Sequence, residues 1–302
     1  MKDQRDRRLA TSDLPEIVRK IRARTPARLL AGRAGAAYRT TTQLDLREAH
    51  ATARDAVRAE LNAERAFGKD FVNTWNLFEV STNAVHKDEY LLRPELGRHF
   101  DGRSREELQR RCSSRNDLQI AIGDGLSVSA VAAQVPLLLP LIIAGAGQWH
   151  WKIGQTFVIH HCRVGILNEI GELLNPRVAL LLIGERPGLA TAESLSVYLA
   201  YLPNNAHTDA DRNVISNIHL RGLSPHEAAA RILSLAARMM ETNSSGYQLK
   251  EAPPALGHPY KLRVCVSRES GGRTTSTIFG GYGRDRTGTD STLPTSLSVS
   301  YV

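Results

Sequence analysis

Glu185 and Arg186 stand side by side in the run GERPG, Gly184–Gly188, which closes the apolar stretch VALLLI. An acid and a base at the mouth of an apolar run offer one acceptor and several donors, and the flanking glycines would let a ligand approach the backbone closely. The competing reading is that the two charges pair with neighbours and terminate a strand; spacing favours neither. Asp124, in GDGLS (123–127), is a second carboxylate after an apolar run, or else the cap of a helix starting near Ser127. Together Asp124 and Glu185 would suit general acid–base work. His160 and His161 are adjacent, so on a strand they would face opposite ways and could not share one metal ion. GDGLS lacks the G-x-G-x-x-G fingerprint, and no G-x-x-x-x-G-K phosphate loop occurs. Cys112, Cys162 and Cys265 are an odd, scattered set that indicates reduced thiols, with neither a disulfide framework nor a zinc site.

These residues need strands and helices to bring them together, and the chain supplies a matching rhythm. LQIAIG, FVIHHCRV and VALLLIG are nearly all apolar, as strands buried on both faces are, and LSVYLAYLP reads as a fourth strand. Helical segments intervene: one from Ser127, one over GILNEIGELL, and one in SPHEAAARILSLAARMMETN, where Ser224, Pro225 and Glu227 form a capping box. Strands alternating with helices predict a parallel sheet whose carboxyl-end loops GDGLS, HHCRVG and GERPG share one edge. Upstream, Asp45–Phe67 reads as a single helix, residues 27–42 as a loop rich in Arg, Gly and Thr, and Leu91–Gly97 as a turn set by Pro94. The apolar stretch Val135–Gly147 is interrupted by Pro136 and Pro140 and is shorter than the roughly 20 residues a bilayer needs, so no membrane span is expected.

The 302 residues carry a net charge of +8, unevenly placed. Residues 1–40 hold eleven Lys/Arg against four Asp/Glu and residues 253–302 hold six against three, which leaves the body near −2. That distribution predicts a basic arm on a mildly acidic domain, and no nucleic-acid-reading surface. The N-terminus lacks the apolar core of a secretory signal, which predicts a cytoplasmic protein. The expected organisation is a basic arm over 1–25, a helical N-terminal domain over 26–100, a Rossmann-like α/β domain over 101–252, and a Gly/Ser/Thr-rich tail over 253–302 whose composition predicts disorder. Two other function classes fit these features: a noncatalytic α/β module binding a partner or nucleic acid through its arm, and a self-sufficient enzyme using Glu185 and Asp124.

Several segments taken in order carry a resemblance: GRAG at Gly32–Gly35, YLLRPELG, DGLS, HHCRVGILNEIGE, IGERPGLATAESLSVYLAYLP, DRNVISNIH and the PHEAAARILSLAARMM helix. From about Asp13 to Glu251 the chain resembles the small (light) subunit of ethanolamine ammonia-lyase. The resemblance implies an adenosylcobalamin enzyme that converts ethanolamine to acetaldehyde and ammonia through a deoxyadenosyl radical. It implies that the catalytic residues belong to a separate large subunit, and that this chain closes over the cofactor, in the cytoplasm or a bacterial microcompartment. Carried over by motif, the cofactor-binding positions are Val164, Glu185 and Val214, with Cys162 where the family often has glycine and Val214 where it often has cysteine. Glu185 would accept hydrogen bonds from the corrin periphery. His219, in NIHLRG, is similar to the D-x-H-x-x-G sequence through which several cobalamin proteins ligate cobalt. Asn217 replaces the orienting aspartate, and no metal ligand is assigned. The residues beyond Pro253 match nothing in the family pattern.

Overall fold

A computed structural model of the chain describes residues 15–25, 28, 29 and 31–249. In chain order the N-terminal region runs through α1 (Glu16–Ala23), a small hairpin of β1 (Arg33–Ala34) and β2 (Ala37–Tyr38), and α2 (Thr40–Arg58). It continues with α3 (Ala63–Phe67), α4 (Lys69–Thr74), β3 (Phe78–Ser81), α5 (Lys87–Leu92) and α6 (Gly102–Arg111). Then come β4 (Leu118–Gly123), α7 (Val128–Gln148), β5 (Phe157–His160), α8 (Ile166–Leu174) and β6 (Val178–Gly184). The described region ends with β7 (Leu195–Tyr201), β8 (Asn213–Ile218) and α9 (Pro225–Thr242).

Six strands form one sheet in the order β3-β5-β4-β6-β7-β8. The first four are mutually parallel, and every residue of β4 and β6 is buried, which explains why both are apolar apart from Gln119. β7 departs from the expected parallel arrangement: it runs antiparallel to β6, and β8 returns antiparallel to β7. The physical reason lies in the connection. Residues 185–194 hold no helix, and a parallel return needs a crossover of about a dozen residues or more, so the chain doubles back.

Helices cover both faces. On one, Val135, Leu138 and Ile142 of α7 and Ile232, Ala236 and Met239 of α9 bury Ile120, Ile122, Leu180 and Leu182. On the other, Leu108 of α6 and Ile166, Ile170 and Leu174 of α8 meet Ala121, Phe157, Ile159 and Leu181. Pro136 and Pro140 do not interrupt α7, contrary to expectation; the helix runs through both. Each proline removes one backbone hydrogen bond, and burial of Val135, Leu138, Leu139 and Ile142 offsets the loss. By length and composition alone α7 could cross a membrane, but here it packs on the sheet beside α9, where Gly145 abuts Leu233.

The expected boundary near residue 100 does not divide the chain, because all the described residues fall within one compact unit. β3, from the N-terminal region, completes the sheet beside β5. The helix expected over 45–67 is two helices. Ala59 is extended, and Asn62 starts α3 by accepting the Arg65 N–H. Within the expected loop 27–42, α2 already starts at Thr40, and a hairpin turns at Gly35, whose φ is +62°. Only the forward half of the Ser224 capping box forms, with the Ser224 hydroxyl accepting the Glu227 N–H at 3.3 Å. The disorder expected for 253–302, and most of the basic arm, lie outside the described residues.

Candidate functional site

β5, β4 and β6 lie side by side and parallel, so their carboxyl ends bring three loops to one edge: Asp124–Ser127, His161–Gly165 and Glu185–Gly188. Between them opens a cleft of about 170 Å³ lined by residues that include Tyr90, Leu126, Val164, Glu185, Ser196 and Tyr198. Thus Val164 and Glu185 come together. Val214 is not in the lining. It sits on β8 directly opposite Tyr198 and is 46% exposed, on the part of the sheet that neither α6 nor α8 covers.

Glu185 is half-buried, and its own sheet orients it. Oε1 accepts from the Ser196 hydroxyl and, at 3.1 Å, from the Asn217 N–H; Oε2 accepts from the Ser194 hydroxyl at 2.8 Å. Since the Ser196 proton goes to the carboxylate, Ser216 donates to Ser196 across 3.0 Å, and a short hydroxyl chain ends on Glu185. A carboxylate has about four lone-pair directions, so one on Oε2 is left. Arg186 is exposed and forms no ion pair among the described residues. Of the two readings of this acid and base, Glu185 therefore combines both, joined to its strand neighbours and still open to an outside donor.

The glycines serve a purpose the sequence did not disclose. A Cβ on Gly184 would collide with the Ser127 carbonyl oxygen and come within 2.8 Å of the Asp124 carbonyl oxygen. Gly125, at φ +56°, packs as closely against Gly184. Their smallness lets two loops of the protein touch each other, whereas Gly188 has open space around it.

Asp124 is neither a helix cap nor an available acid. Ser127 caps α7 by accepting the Ala130 N–H at 3.2 Å. Asp124 is fully buried, with Oδ2 3.0 Å from Lys87 Nζ and Oδ1 accepting the Cys162 N–H at 2.8 Å. Buried beneath the loops with its charge taken up by Lys87, it is out of a substrate's reach and cannot pair with Glu185 to work on one. Tyr90 lies over this pair, its ring centroid 4.9 Å from Lys87 Nζ and 4.1 Å from the Arg163 guanidinium. Burial, and then the Asp124 charge, push the Tyr90 hydroxyl well above its ordinary range, and the same two causes raise the Cys162 thiol. Tyr198 is raised too, by burial and then by the Glu185 charge.

The two histidines diverge, but not by strand alternation, because β5 ends at His160 and His161 belongs to the turn that follows. His160 bonds Glu79 of β3 at 2.5 Å, while His161, in the left-handed region at φ +55°, bonds Ala84 O at 2.8 Å and Glu60 at 3.0 Å. His219 is buried. Its Nδ1 accepts the Arg221 N–H at 3.2 Å, so Nε2 donates to Asn217 Oδ1 at 2.8 Å, which fixes the tight turn after β8. No cluster of three or more His, Cys, Asp or Glu with metal-binding geometry occurs among the described residues.

Tyr90, Ser196 and Tyr198 were missed as site residues. The signal for the last two was present: in LSVYLAY the apolar Leu195, Val197 and Leu199 alternate with Ser196 and Tyr198, which sets the latter two on the other face. For Tyr90 and Lys87 there was none, because their partners lie 72 and 37 residues away.

The family model for the ethanolamine ammonia-lyase light chain matches residues 15–250. The chain is 41% identical over 231 residues to the ethanolamine ammonia-lyase small subunit of Clostridium perfringens, covering 76% of each chain. It is 39% identical over 231 residues to that of Fusobacterium nucleatum, and 40% identical over 230 residues to that of Clostridioides difficile, again covering 76% of each chain.

Proposed function

The chain belongs to the ethanolamine ammonia-lyase light chain family, a component of an ammonia-lyase, and on that premise we propose that it caps adenosylcobalamin on a large catalytic subunit. In this reading the complex converts ethanolamine to acetaldehyde and ammonia, the catalytic residues belong to the large subunit, and Val164, Glu185 and Val214 face the corrin. The complex works in the cytoplasm or within a bacterial microcompartment, and neither nucleic acid nor a membrane is involved. The strand order and the helices on both faces support reading the sheet as a Rossmann-like variant that ends in two antiparallel strands.

The residues present fit half of such a site. Cobalamin carries amide side chains around an apolar ring, and it needs acceptors beside apolar walls. The observation that carries the reading is the Glu185 carboxylate, pre-oriented by two hydroxyls and one N–H, keeping a free direction on Oε2 beside Val164 and Tyr198. A cleft of about 170 Å³ takes only the edge of so large a cofactor, which agrees with a site that a second chain completes. Val214 adds an exposed apolar surface one strand further out. When bound, adenosylcobalamin supplies the radical that removes a substrate hydrogen. This chain's residues orient an acceptor, provide an apolar wall and keep water from that side of the cofactor.

The test is ethanolamine deamination with added adenosylcobalamin by this chain alone, by a family large subunit alone and by the two mixed. Activity confined to the mixture and lowered by Glu185→Ala is the expected result. Turnover by this chain alone, or full activity of the large subunit without it, would overturn the proposal.

A further inference from the structure

We infer that Lys87, Asp124 and Tyr90 are positioning residues that fix the turn His161–Val164 and thereby the place of Val164 in the cleft. This rests on the cofactor-capping reading.

Across His161 to Arg163, separate segments of the chain hold the turn's backbone. The Thr82 hydroxyl donates to His161 O at 3.0 Å, and Asp124 Oδ1 accepts the Cys162 N–H at 2.8 Å. The Tyr90 hydroxyl donates to Cys162 O at 2.9 Å, and Gly97 O accepts the Arg163 N–H at 2.9 Å. Gly97 approaches so closely that an added Cβ would stand 2.6 Å from His161 O. The Arg163 side chain, whose Nη2 donates to Tyr90 O at 3.0 Å, is tied to the same tyrosine. His161 holds a left-handed conformation, which a residue with a side chain keeps only where its surroundings impose it.

Stability gives a poor account of the ion pair at the centre of this clamp. Apolar residues of similar volume commonly serve a core as well as a buried pair does, so the pair calls for another reason. Its geometry supplies one: Asp124 gives one oxygen to Lys87 and the other to the turn, while Lys87 Nζ also donates to Gly125 O at 3.3 Å. One buried pair therefore joins α5, the loop after β4 and the loop after β5, and two of these, the Gly125–Leu126 and Cys162–Val164 segments, line the cleft.

The test uses the reconstituted two-subunit complex and cyanocobalamin, titrated by its absorbance change, with Tyr90→Phe, Asp124→Asn and the distant core variant Ile232→Val. Tyr90→Phe keeps the ring and removes only the hydroxyl, so it decides the matter should Asp124→Asn fail to fold. The expected result is a Kd for cyanocobalamin raised about tenfold, equivalent to ~1.4 kcal/mol, by Tyr90→Phe and unchanged by Ile232→Val. In Tyr90→Phe the KM for adenosylcobalamin should rise in parallel, and by a larger factor than any fall in kcat at saturating cofactor. An unchanged Kd in Tyr90→Phe, or an equal rise in Ile232→Val, overturns the positioning role and leaves the capping reading standing. Failure of the parent complex to bind cyanocobalamin overturns both.

Discussion

The two glycines of GERPG allow a test in which one motif supplies both the perturbation and its control. At Gly184 an added Cβ meets the Ser127 carbonyl oxygen and stands 2.8 Å from both Ser127 C and Asp124 O, all backbone atoms that cannot rotate away. The backbone of Gly184 is in a region open to any residue, so alanine brings no conformational penalty there and the whole cost is the collision. Forcing one methyl into a packed contact costs about 1–3 kcal/mol. For a unit of this size that should lower the thermal midpoint by roughly 2–4 °C per kcal/mol. At Gly188 the nearest atom to an added Cβ is Ala190 N at 3.9 Å, and alanine there should change stability by no more than about 0.5 kcal/mol. Urea unfolding of the isolated chain, followed by circular dichroism, measures both. Equal stabilities of Gly184→Ala and Gly188→Ala would refute the claim that Gly184 exists for loop-on-loop packing, and would return the motif to a role in ligand approach.

Alkaline pH should unfold the chain for a definite reason. Burial pushes the Cys112 thiol up to about 11, and Cys162 and Tyr90 are raised as well. These groups favour the folded state only while protonated, so their contribution is whole below pH 9 and is lost as pH rises from 9 through about 11. Urea midpoints at pH 8, 9 and 10 check this, and a midpoint that holds steady or rises would count against it. Ser127→Ala removes the cap of α7 and a hydroxyl bond to Ala192 O at 2.5 Å, and should cost about 1–2 kcal/mol. A loss below about 0.3 kcal/mol in the same urea assay would contradict the capping assignment.

How far the sequence disclosed this depends on whether the governing interaction is local. β4, β6 and α9 follow from apolar runs and from Ser224 with Pro225, all of which act within a few residues. Strand direction does not. LSVYLAY reads equally well either way round, and only the short helix-free connection 185–194 decides it. β3 and β8 escape notice because FEVS is four residues long and NVISNI places Asn and Ser on an uncovered face. Glu185 stood out through its apolar flank, whereas the pairing of Lys87 with Asp124 is set by tertiary structure alone. That is also why Asp124 reads as an available acid in sequence and is none in the fold.

Rigidity and incompleteness coexist at this cleft, and the capping reading accounts for both. Val164 and Glu185 are held from the protein side by backbone and hydroxyl partners, while Val214, Ser216 and Arg186 face outward without a helix above them. A chain that enclosed its own ligand would need a deeper cavity than about 170 Å³. One that merely displayed a surface would gain little from a buried Lys–Asp pair beneath it. A preformed wall with one acceptor aimed outward is the economical form for a subunit that meets a cofactor already seated on its partner, because the ordering of that wall is complete before the two chains associate. It follows that loosening the wall should weaken cofactor affinity before it weakens the fold, the order of losses that separates Tyr90→Phe from Ile232→Val.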